Sequence, residues 1–312
     1  MTGVLTLTPN PALDLSTSTE KVMDAHKLRC EAPRFHPGGG GINVARVLHR
    51  LGERCLAVYP AGGATGERLS QLLEAEQVPA HCVAIAGETR ESFSVRETAT
   101  GREYRFVLPG PTLAPAEWQA CLDFVQDLAM PPRHIVASGS LPPGVPVDFY
   151  ARLAQVAHAQ GSLLVLDASG PPLAAALEEG VYLVKPSLRE LRELTGEPLE
   201  HEAQWLAAAR GLVQHGQARL AALSLGERGA LLVSATMALR APAIAVPVAS
   251  TIGAGDSFTA GLVLALSRGQ DLQEALRTAM AASAAALLVP GTALCQPADV
   301  ERLRAQVRID RV

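Results

Sequence analysis

The chain has few of the features that mark secreted, metal-binding or nucleic-acid-binding proteins. Its five cysteines, Cys30, Cys55, Cys82, Cys121 and Cys295, are widely scattered and form no CxxC pair. Neither a disulfide framework nor a zinc site is therefore indicated. The net charge of −4 shows no basic excess, so the composition gives no sign of a nucleic-acid-binding surface.

Targeting segments and low-complexity segments are lacking as well. The opening residues, MTGVLTLTPNPALD, contain no basic segment and no long apolar run. We therefore expect no signal peptide, no membrane span and a cytoplasmic protein. The chain has 312 residues, 48% of them hydrophobic, and no internal repeat or disordered linker. We expect one domain over residues 1–312 with a substantial core.

What the sequence does contain is an alternation of short apolar runs and helix-length segments. Strands that are apolar throughout and are joined by helices predict an α/β fold with a mainly parallel sheet covered on both faces. In such sheets ligands bind at the carboxyl ends of the strands. Several runs do end in polar or glycine-rich residues, such as SGS, KPS and SLG. The predicted strands are 3–8, 55–62, 134–140, 162–169, 181–187, 220–226 and 229–235, and the predicted helices include 41–52, 66–78, 146–161 and 204–216.

Two regions depart from this alternation, at about residues 13–35 and 90–108. The second region alternates apolar and polar residues and carries a TG turn, which predicts a β-hairpin with Phe93 and Val95 on one face. We expect the two regions to form a small extra β-sheet. Its apolar face would close over an active site as a lid, pair with a second copy of the chain, or do both.

The stretch STIGAGDSFTAG, residues 250–261, places small residues just before a carboxylate and an apolar helix. At a helix N-terminus the backbone N–H groups of Gly253, Ala254 and Gly255 favour an anion. Asp256 would then lie beside that anion and accept a proton from an attacking hydroxyl. The alternative is that Asp256 only caps the helix. The stretch does not match the phosphate-binding pattern GxxxxGK[ST], and no GxGxxG follows the first strand.

A second glycine cluster, Gly38–Gly41, lies in FHPGGGGINVARVL before a predicted helix. Four glycines indicate that the backbone passes close to another group, although a flexible turn is the alternative. Asn43, near the start of the helix, is suited to binding a ligand hydroxyl through its amide.

Together these motifs resemble the ribokinase-like (PfkB) family of sugar kinases. The resemblance extends over nearly the whole chain through PAGGATGE (60–67), SGSLPPGV (138–145), LVKPSLREL (183–191) and SLGERGAL (224–231). KLRCEAP (27–33) and YRFVLPG (104–110) are most similar to the minor 6-phosphofructokinase branch of that family. The 1-phosphofructokinases and tagatose-6-phosphate kinases usually carry a lysine in the first glycine cluster, where this chain has Gly40 or Gly41.

The resemblance implies roles for the residues at the sugar end of the site. Asp256 would be the catalytic base, and Gly253, Ala254 and Gly255 would form the anion hole. Arginine suits the phosphate of the substrate because its planar fork donates two bonds at once. The implied sugar-phosphate contacts are Asp14, Lys27, Arg29, Gly39, Asn43, Arg90, Arg105 and Ser140.

The resemblance also implies ATP, Mg²⁺ and a monovalent cation, K⁺. Ser187 stands where the family has an asparagine that, with Glu190, orders magnesium, and this substitution puts the affinity for the metal in question. The alanine-rich stretch 279–289 either leaves space for an adenine or serves close helix packing. The implied nucleotide contacts are Lys185, Ser187, Ser224, Gly226 and Gly229, the implied magnesium residue is Glu190, and the implied potassium positions are Ser250, Ile252, Ala286, Val289 and Gly291.

The predicted activity is ATP-dependent phosphorylation of fructose 6-phosphate to fructose 1,6-bisphosphate in glycolysis, by a homodimer formed through the lid. Kinases of tagatose 6-phosphate or fructose 1-phosphate remain alternatives, because they would keep the catalytic residues. A non-catalytic sugar-phosphate sensor is an alternative that Ser187 favours and that Asp256 and Glu190 disfavour. A dinucleotide oxidoreductase would share the α/β pattern but lacks its glycine fingerprint.

Overall fold

The computed structural model describes residues 3–312, which form two β-sheets surrounded by helices. The strands are β1 (Val4–Leu7), β2 (Ala12–Thr19), β3 (Arg34–Gly38), β4 (Cys55–Ala61), β5 (Ala80–Ala84), β6 (Arg90–Glu97), β7 (Glu103–Val107), β8 (His134–Ser138), β9 (Leu163–Asp167), β10 (Val181–Val184), β11 (Ala218–Ser224), β12 (Ala230–Val233), β13 (Ala238–Ala241) and β14 (Asp310–Arg311). The helices are α1 (Gly40–Arg50), α2 (Gly63–Ala75), α3 (Pro115–Gln126), α4 (Phe149–Gln160), α5 (Gly170–Glu179), α6 (Leu188–Thr195), α7 (Glu202–Gln214), α8 (Ala254–Ser267), α9 (Leu272–Leu287) and α10 (Pro297–Arg304).

The large sheet has the strand order β14-β13-β12-β11-β10-β9-β8-β1-β4-β5. The seven neighbouring strands β11, β10, β9, β8, β1, β4 and β5 pair in parallel. This confirms the predicted mainly parallel α/β fold. The predicted strand 229–235 corresponds to β12, which pairs antiparallel with β11. Only a short turn at Gly226–Arg228 joins them, whereas a parallel pair needs a crossover of a dozen or more residues.

Apolar side chains cover both faces of the large sheet. Along β8, for example, Ile135 and Val136 are both fully buried but belong to separate hydrophobic clusters. Successive side chains of a strand point to opposite faces, so each face packs against its own layer of helices. This two-sided burial explains why the central strands read as continuous apolar runs.

Helices α8 and α9 pack unusually closely, and glycine and alanine make this contact possible. A Cβ atom added at Gly261 would lie 2.7 Å from Cα of Ala279. Ala279, Ala282 and Ala286 on α9 are fully buried. These contacts favour close helix packing as the reason for the alanine-rich stretch. They also fix α8, whose first turn carries Asp256.

The small sheet has the order β3-β2-β6-β7, with β2 and β6 parallel and both outer pairs antiparallel. The predicted hairpin is β6–β7, in which Phe93 lies opposite Phe106 with their ring centroids 4.8 Å apart. This apolar face points away from the large sheet, and Phe106 is 47% exposed. The opposite face carries Asp14, Ser92 and Arg105, which line the cavity described below.

Among residues 3–312, no helix combines the length and the apolar character needed to cross a bilayer.

Replacing Gly261 with alanine should lower the free energy of unfolding by about 1–3 kcal/mol, because the new methyl group would overlap the backbone of α9. Gly211, inside α7, is the matched control because nothing lies within 4 Å of an added Cβ. Gly211→Ala should raise the free energy of unfolding by up to about 1 kcal/mol. Denaturant titration measures both values, and equal effects of the two substitutions would contradict the packing argument.

Candidate active site

A cavity of about 270 Å³ opens at the carboxyl ends of the parallel strands, beneath the small sheet. The ends of β8 and β9 supply Ser138 and Asp167, and α8 supplies Asp256. The cavity brings together many of the residues predicted for substrate binding and catalysis. Its lining is Ala12, Asp14, Gly39, Gly40, Asn43, Arg90, Ser92, Arg105, Ser138, Gly139, Ser140, Asp167, Ala168, Ser169, Glu190 and Asp256.

The first turn of α8 forms one end of this cavity. Gly253 precedes the helix with φ 77°, and a Cβ there would also collide with Leu294. The positive φ favours glycine at this position. Asp256 lies three residues into the helix, so it does not occupy the capping position that the alternative interpretation gave it. Its Oδ2 instead accepts a hydrogen bond of 2.9 Å from Nδ2 of Asn43.

Burial and the neighbouring charge of Asp167 raise the pKa of Asp256 to about 6. The hydrogen bond from Asn43 and the charges of Lys185 and Arg105 oppose this shift. Asp256 is therefore ionised at neutral pH while its pKa lies close to the operating range, which suits a general base.

The glycine cluster before α1 passes close to other parts of the protein, as the sequence indicated. Added Cβ atoms at Gly38, Gly40 and Gly41 would lie under 3.0 Å from Asp14, Ser138 and Thr8, respectively. The glycines thus let the chain fit between the small sheet and the ends of β1 and β8. This fit places Asn43, buried on the first turns of α1, against Asp256.

The wall formed by the small sheet carries a buried carboxylate and two arginines. Burial raises the pKa of Asp14 to about 6, while Arg105 and Arg90 act in the opposite direction. Arg90 is anchored by donating to the carbonyl oxygens of Leu108 and Asn10, at 3.0 and 2.9 Å. Arg90 and Arg105 therefore give this wall a positive charge that suits an anionic group.

Other predicted phosphate and sugar contacts take different positions. Ser140 lines the cavity and accepts a hydrogen bond of 3.1 Å from Asn10. Lys27 and Arg29 lie on the exposed segment between β2 and β3 and do not line the cavity. Only a neighbouring subunit or a movement of this segment would bring them to a bound phosphate.

A second charged group lies where β9 and β10 end. Lys185 Nζ forms an ion pair of 3.0 Å with Asp167 Oδ1. Burial opposes the charge of Lys185, but Asp167, Glu190 and Asp256 outweigh it and raise its pKa. A Cβ added at Gly255 would lie 3.9 Å from Lys185 Nζ, so the ammonium reaches the first turn of α8. Together they form a site that fits a phosphate group.

Ser187 and Glu190 are joined by reciprocal hydrogen bonds at the start of α6. The Ser187 hydroxyl accepts from the Glu190 N–H at 3.2 Å, and the Glu190 carboxylate accepts from the Ser187 N–H at 2.8 Å. This capping box holds Glu190 at the cavity wall. Within residues 3–312, no group of three or more His, Cys, Asp or Glu side chains is placed to hold a metal. Mg²⁺ fits regardless, because it often uses one or two carboxylates together with water and phosphate oxygens.

The other residues predicted to contact the nucleotide lie at the end of β11 and in the turn that follows it. The backbones of Ser224 and Ser187 pair as a single parallel β-bridge. Gly226 begins the short turn that leads to β12. Gly229 has φ 92°, and a Cβ there would collide with the carbonyl of Ala241. The strand β13 therefore explains why position 229 is glycine.

The predicted potassium positions belong to two adjoining segments. Ala249 donates from its backbone to Leu287 at 2.7 Å, which joins residues 249–252 to residues 286–291. The Ser250 hydroxyl hydrogen-bonds with the Glu103 carboxylate at 2.9 Å, and Ala286 O accepts from Val289 at 3.4 Å. Ile252 is buried beside Ser250, and Gly291 has φ 57°. The segments fit a carbonyl-lined cation site in part, since the Ser250 hydroxyl and the Ala286 carbonyl already have partners.

Asp167 is the charged residue of the cavity lining that sequence reasoning missed, and it also missed Arg46, which contacts Asn43 from outside the cavity. Asp167 directly follows the apolar residues of SLLVLDAS, and its position at the carboxyl end of a buried strand was a usable signal. Arg46, which contacts Asn43, had no such signal because it lies within a helical apolar pattern.

Comparison with known proteins agrees with this geometry. The model for the pfkB family of carbohydrate kinases matches residues 11–299. A Mycobacterium tuberculosis protein named ATP-dependent 6-phosphofructokinase isozyme 2 is 48% identical over 299 residues, or 96% of this chain and 88% of the relative.

Solved structures of phosphofructokinase-2 from Escherichia coli have the same fold. A complex with potassium has a TM-score of 0.94 at 40% identity and covers 98% of this chain and 99% of that one. A complex with fructose-6-phosphate has a TM-score of 0.92 at 39% identity, with the same coverage.

Proposed function

The chain belongs to the pfkB family of carbohydrate kinases, and we propose that it transfers the γ-phosphoryl group of ATP to the 1-hydroxyl of fructose 6-phosphate, as a step of glycolysis. The observation that carries this proposal is one cavity with a carboxylate base at a helix N-terminus and two arginines on the opposite wall. The names of the Mycobacterium tuberculosis and Escherichia coli relatives support the substrate.

In the proposed reaction Asp256 removes the proton of the sugar 1-hydroxyl. The hydroxyl oxygen forms a bond to the γ-phosphorus of ATP, and the bond between the γ-phosphorus and the bridging oxygen breaks, which releases ADP. The N–H groups of the first turn of α8 and the Lys185 ammonium would stabilise the charge on the transferring group. Arg90 and Arg105 would bind the 6-phosphate, and Asp14 would hold sugar hydroxyls. Glu190 and Asp167 would hold magnesium, which supplies positive charge next to the phosphates when bound.

The geometry favours an enzyme over a non-catalytic sensor. Ser187 preserves the helix cap and keeps Glu190 at the wall, so the lost asparagine need not displace the carboxylate. Asp256 also keeps a hydrogen-bonded, ionisable position in the cavity. Both features belong to the phosphoryl-transfer machinery and have no role in a protein that only binds the sugar.

The glycine cluster favours fructose 6-phosphate over the substrates of the related kinases. A side chain at Gly40 would collide with Ser138, so the lysine usual in those kinases does not fit there without rearrangement. The cations available in this chain are instead the arginines of the small sheet. A phosphate at the 6-position would lie against them while the 1-hydroxyl faces Asp256.

We expect turnover, measured as ADP release with ATP, magnesium and potassium, to be fastest on fructose 6-phosphate among fructose 6-phosphate, tagatose 6-phosphate and fructose 1-phosphate. Arg105→Met should raise the KM for fructose 6-phosphate about 10–100-fold, because charge-assisted bonds to the phosphate are lost. Arg102, exposed in the turn of the same hairpin, is the matched control, and Arg102→Met should leave the KM unchanged. Faster turnover on another sugar would refute the substrate but keep the kinase.

Asp256→Asn should fold and bind both substrates but lose about 10²–10⁴-fold in kcat, the usual contribution of a general base. Because the pKa of Asp256 is raised to about 6, the wild-type kcat should be full at neutral pH and fall as pH drops below about 6. A pH series at saturating substrate, with folding checked by circular dichroism, measures both effects. Undiminished turnover of Asp256→Asn would exclude this residue as the base.

We also propose a homodimer formed through the outward face of the small sheet. Phe106 on β7 and Leu108 just after it are 47% and 44% exposed, and Phe106 stacks on Phe93 on this face. Contiguous exposed apolar surface of this kind marks an interaction site. A partner there would bring the exposed segment with Lys27 near a neighbouring cavity. The joined segments at 249–252 and 286–291 would take the monovalent cation, as potassium in the Escherichia coli complex suggests.

Phe106→Lys should convert the dimer to a monomer, because it places a charge in the apolar interface. Met130, 59% exposed between α3 and β8, is the matched control, and Met130→Lys should leave the mass unchanged. Light scattering coupled to size exclusion measures the mass of each. A dimer that survives Phe106→Lys would place the interface elsewhere.

A further inference from the structure

Arg46 lies on α1 with its side chain fully buried, behind the wall of the cavity. Its Nε and Nη2 donate to the two carboxylate oxygens of Glu76 at 2.9 and 2.6 Å. Its Nη1 donates to the carbonyl of Pro37 at 3.0 Å and of Thr292 at 3.1 Å, and to the side-chain oxygen of Asn43 at 3.2 Å. One guanidinium therefore joins β3, α1, the segment after α9 and the end of α2.

The contact with Asn43 determines which way its amide points. An amide has an acceptor oxygen at one end and a donor NH₂ group at the other. With the oxygen held by Arg46, the NH₂ group faces Asp256 and donates to it at 2.9 Å. A reversed amide would direct its oxygen at the Asp256 carboxylate and its NH₂ group at the guanidinium, and both contacts would be repulsive.

Glu76 follows α2 and is the counterion that a fully buried arginine requires. Its side chain is 26% exposed and also pairs with Arg50 at 3.0 Å. Arg50 donates to the carbonyl of Ala293 but makes no hydrogen bond to Asn43. The two arginines thus share an anion and a neighbouring segment, and only Arg46 reaches the amide.

We propose that Arg46, held by Glu76, is a positioning residue that orients the Asn43 amide so that it donates to Asp256. This inference rests on the proposed function, because it takes Asp256 as the base. Arg46 does not line the cavity, and it acts on the reaction through Asn43.

The proposal makes a specific statement about the charge of Asp256. The charged groups that face Asp256 are Asp167 on β9, Lys185 after β10 and Arg105 on β7. Asp14, Arg90 and Glu190 line the same cavity. The bond from Asn43 lowers the pKa of Asp256, so an amide free to turn should let that pKa rise. Arg46 also lowers the pKa of Asp14 through its charge, and the test must separate the two carboxylates.

The experiment compares Arg46→Met, Arg46→Lys and Arg50→Met in the full chain. The fall of kcat at low pH, which we call the acid limb, is measured at saturating substrate and reports the protonation of Asp256 in the chemical step. Asp14 acts in sugar binding and should affect KM instead. For Arg46→Met we expect this limb to move up by about one pH unit. Relative kcat at pH 6 should fall about fivefold as a consequence, while KM changes less. In Arg46→Lys the upward shift should be smaller than in Arg46→Met. In Arg50→Met the pH dependence of kcat should match that of the wild type.

A second measurement does not depend on turnover. The ¹³C resonances of the Asp256 and Asp14 carboxyl carbons, assigned by their loss in Asp256→Asn and Asp14→Asn, give each titration directly. An upward shift for Asp256 in Arg46→Met that is absent in Arg50→Met supports the proposal. An unchanged Asp256 titration in Arg46→Met overturns it and leaves Arg46 a structural residue.

If Arg46→Met does not fold, Arg46→Lys decides the question, because a lysine ammonium cannot match the fork of contacts made by the guanidinium. A shifted Asp256 titration relative to Arg50→Met supports the proposal, and an unshifted one overturns it. Failure of the proposed function is a separate result, since it would appear as wild-type protein without turnover on any of the sugars while the carboxyl titrations can still be measured.

Discussion

The hydrogen bond between Asn43 and Asp256 joins two glycine-rich helix starts that lie far apart in the chain, and both side chains line the cavity of the candidate active site. Four glycines allow the chain to pass between Asp14, Thr8 and Ser138 and to begin α1 at the edge of the large sheet. Gly261 allows α8 to lie directly on α9. In both places a missing side chain decides how closely two backbones approach, and the position of Asp256 follows from those approaches.

The cavity balances carboxylates against cations. Asp14, Asp167 and Asp256 line it with Arg90 and the exposed Arg105, and the buried Lys185 pairs with Asp167. Burial raises the pKa of each carboxylate, while the nearby cations and the Asn43 amide act in the opposite direction on Asp256, whose pKa is about 6. Substrates that carry phosphate bring further negative charge, which the arginines and the α8 N-terminus are placed to offset. Asp256 is thus ionised at neutral pH but not strongly stabilised in that form, which suits the proposed role of general base.

The two faces of the small sheet have different chemistry because strand side chains alternate. The inner face presents Asp14, Ser92 and Arg105 to the cavity, while the outer face presents Phe93 and Phe106. Burying the outer face in a dimer would fix the inner face over the substrate. Association and closure of the site would then depend on the same four strands.

Local patterns in the sequence determined a large part of this protein. The apolar runs predicted the mainly parallel sheet, the alternation at 90–108 predicted the hairpin, and GAGD predicted a helix that begins beside a carboxylate. The tertiary structure alone decided the rest. The antiparallel direction of β12 depends on the length of one turn, and the role of Gly229 depends on a carbonyl of β13. Lys27 and Arg29, which motif matching grouped with the phosphate contacts, lie outside the cavity. The contacts of Arg46 with Glu76 and Thr292 join residues 30 and 246 positions away. Such contacts leave no periodic or local trace, because they arise only when separate elements pack together.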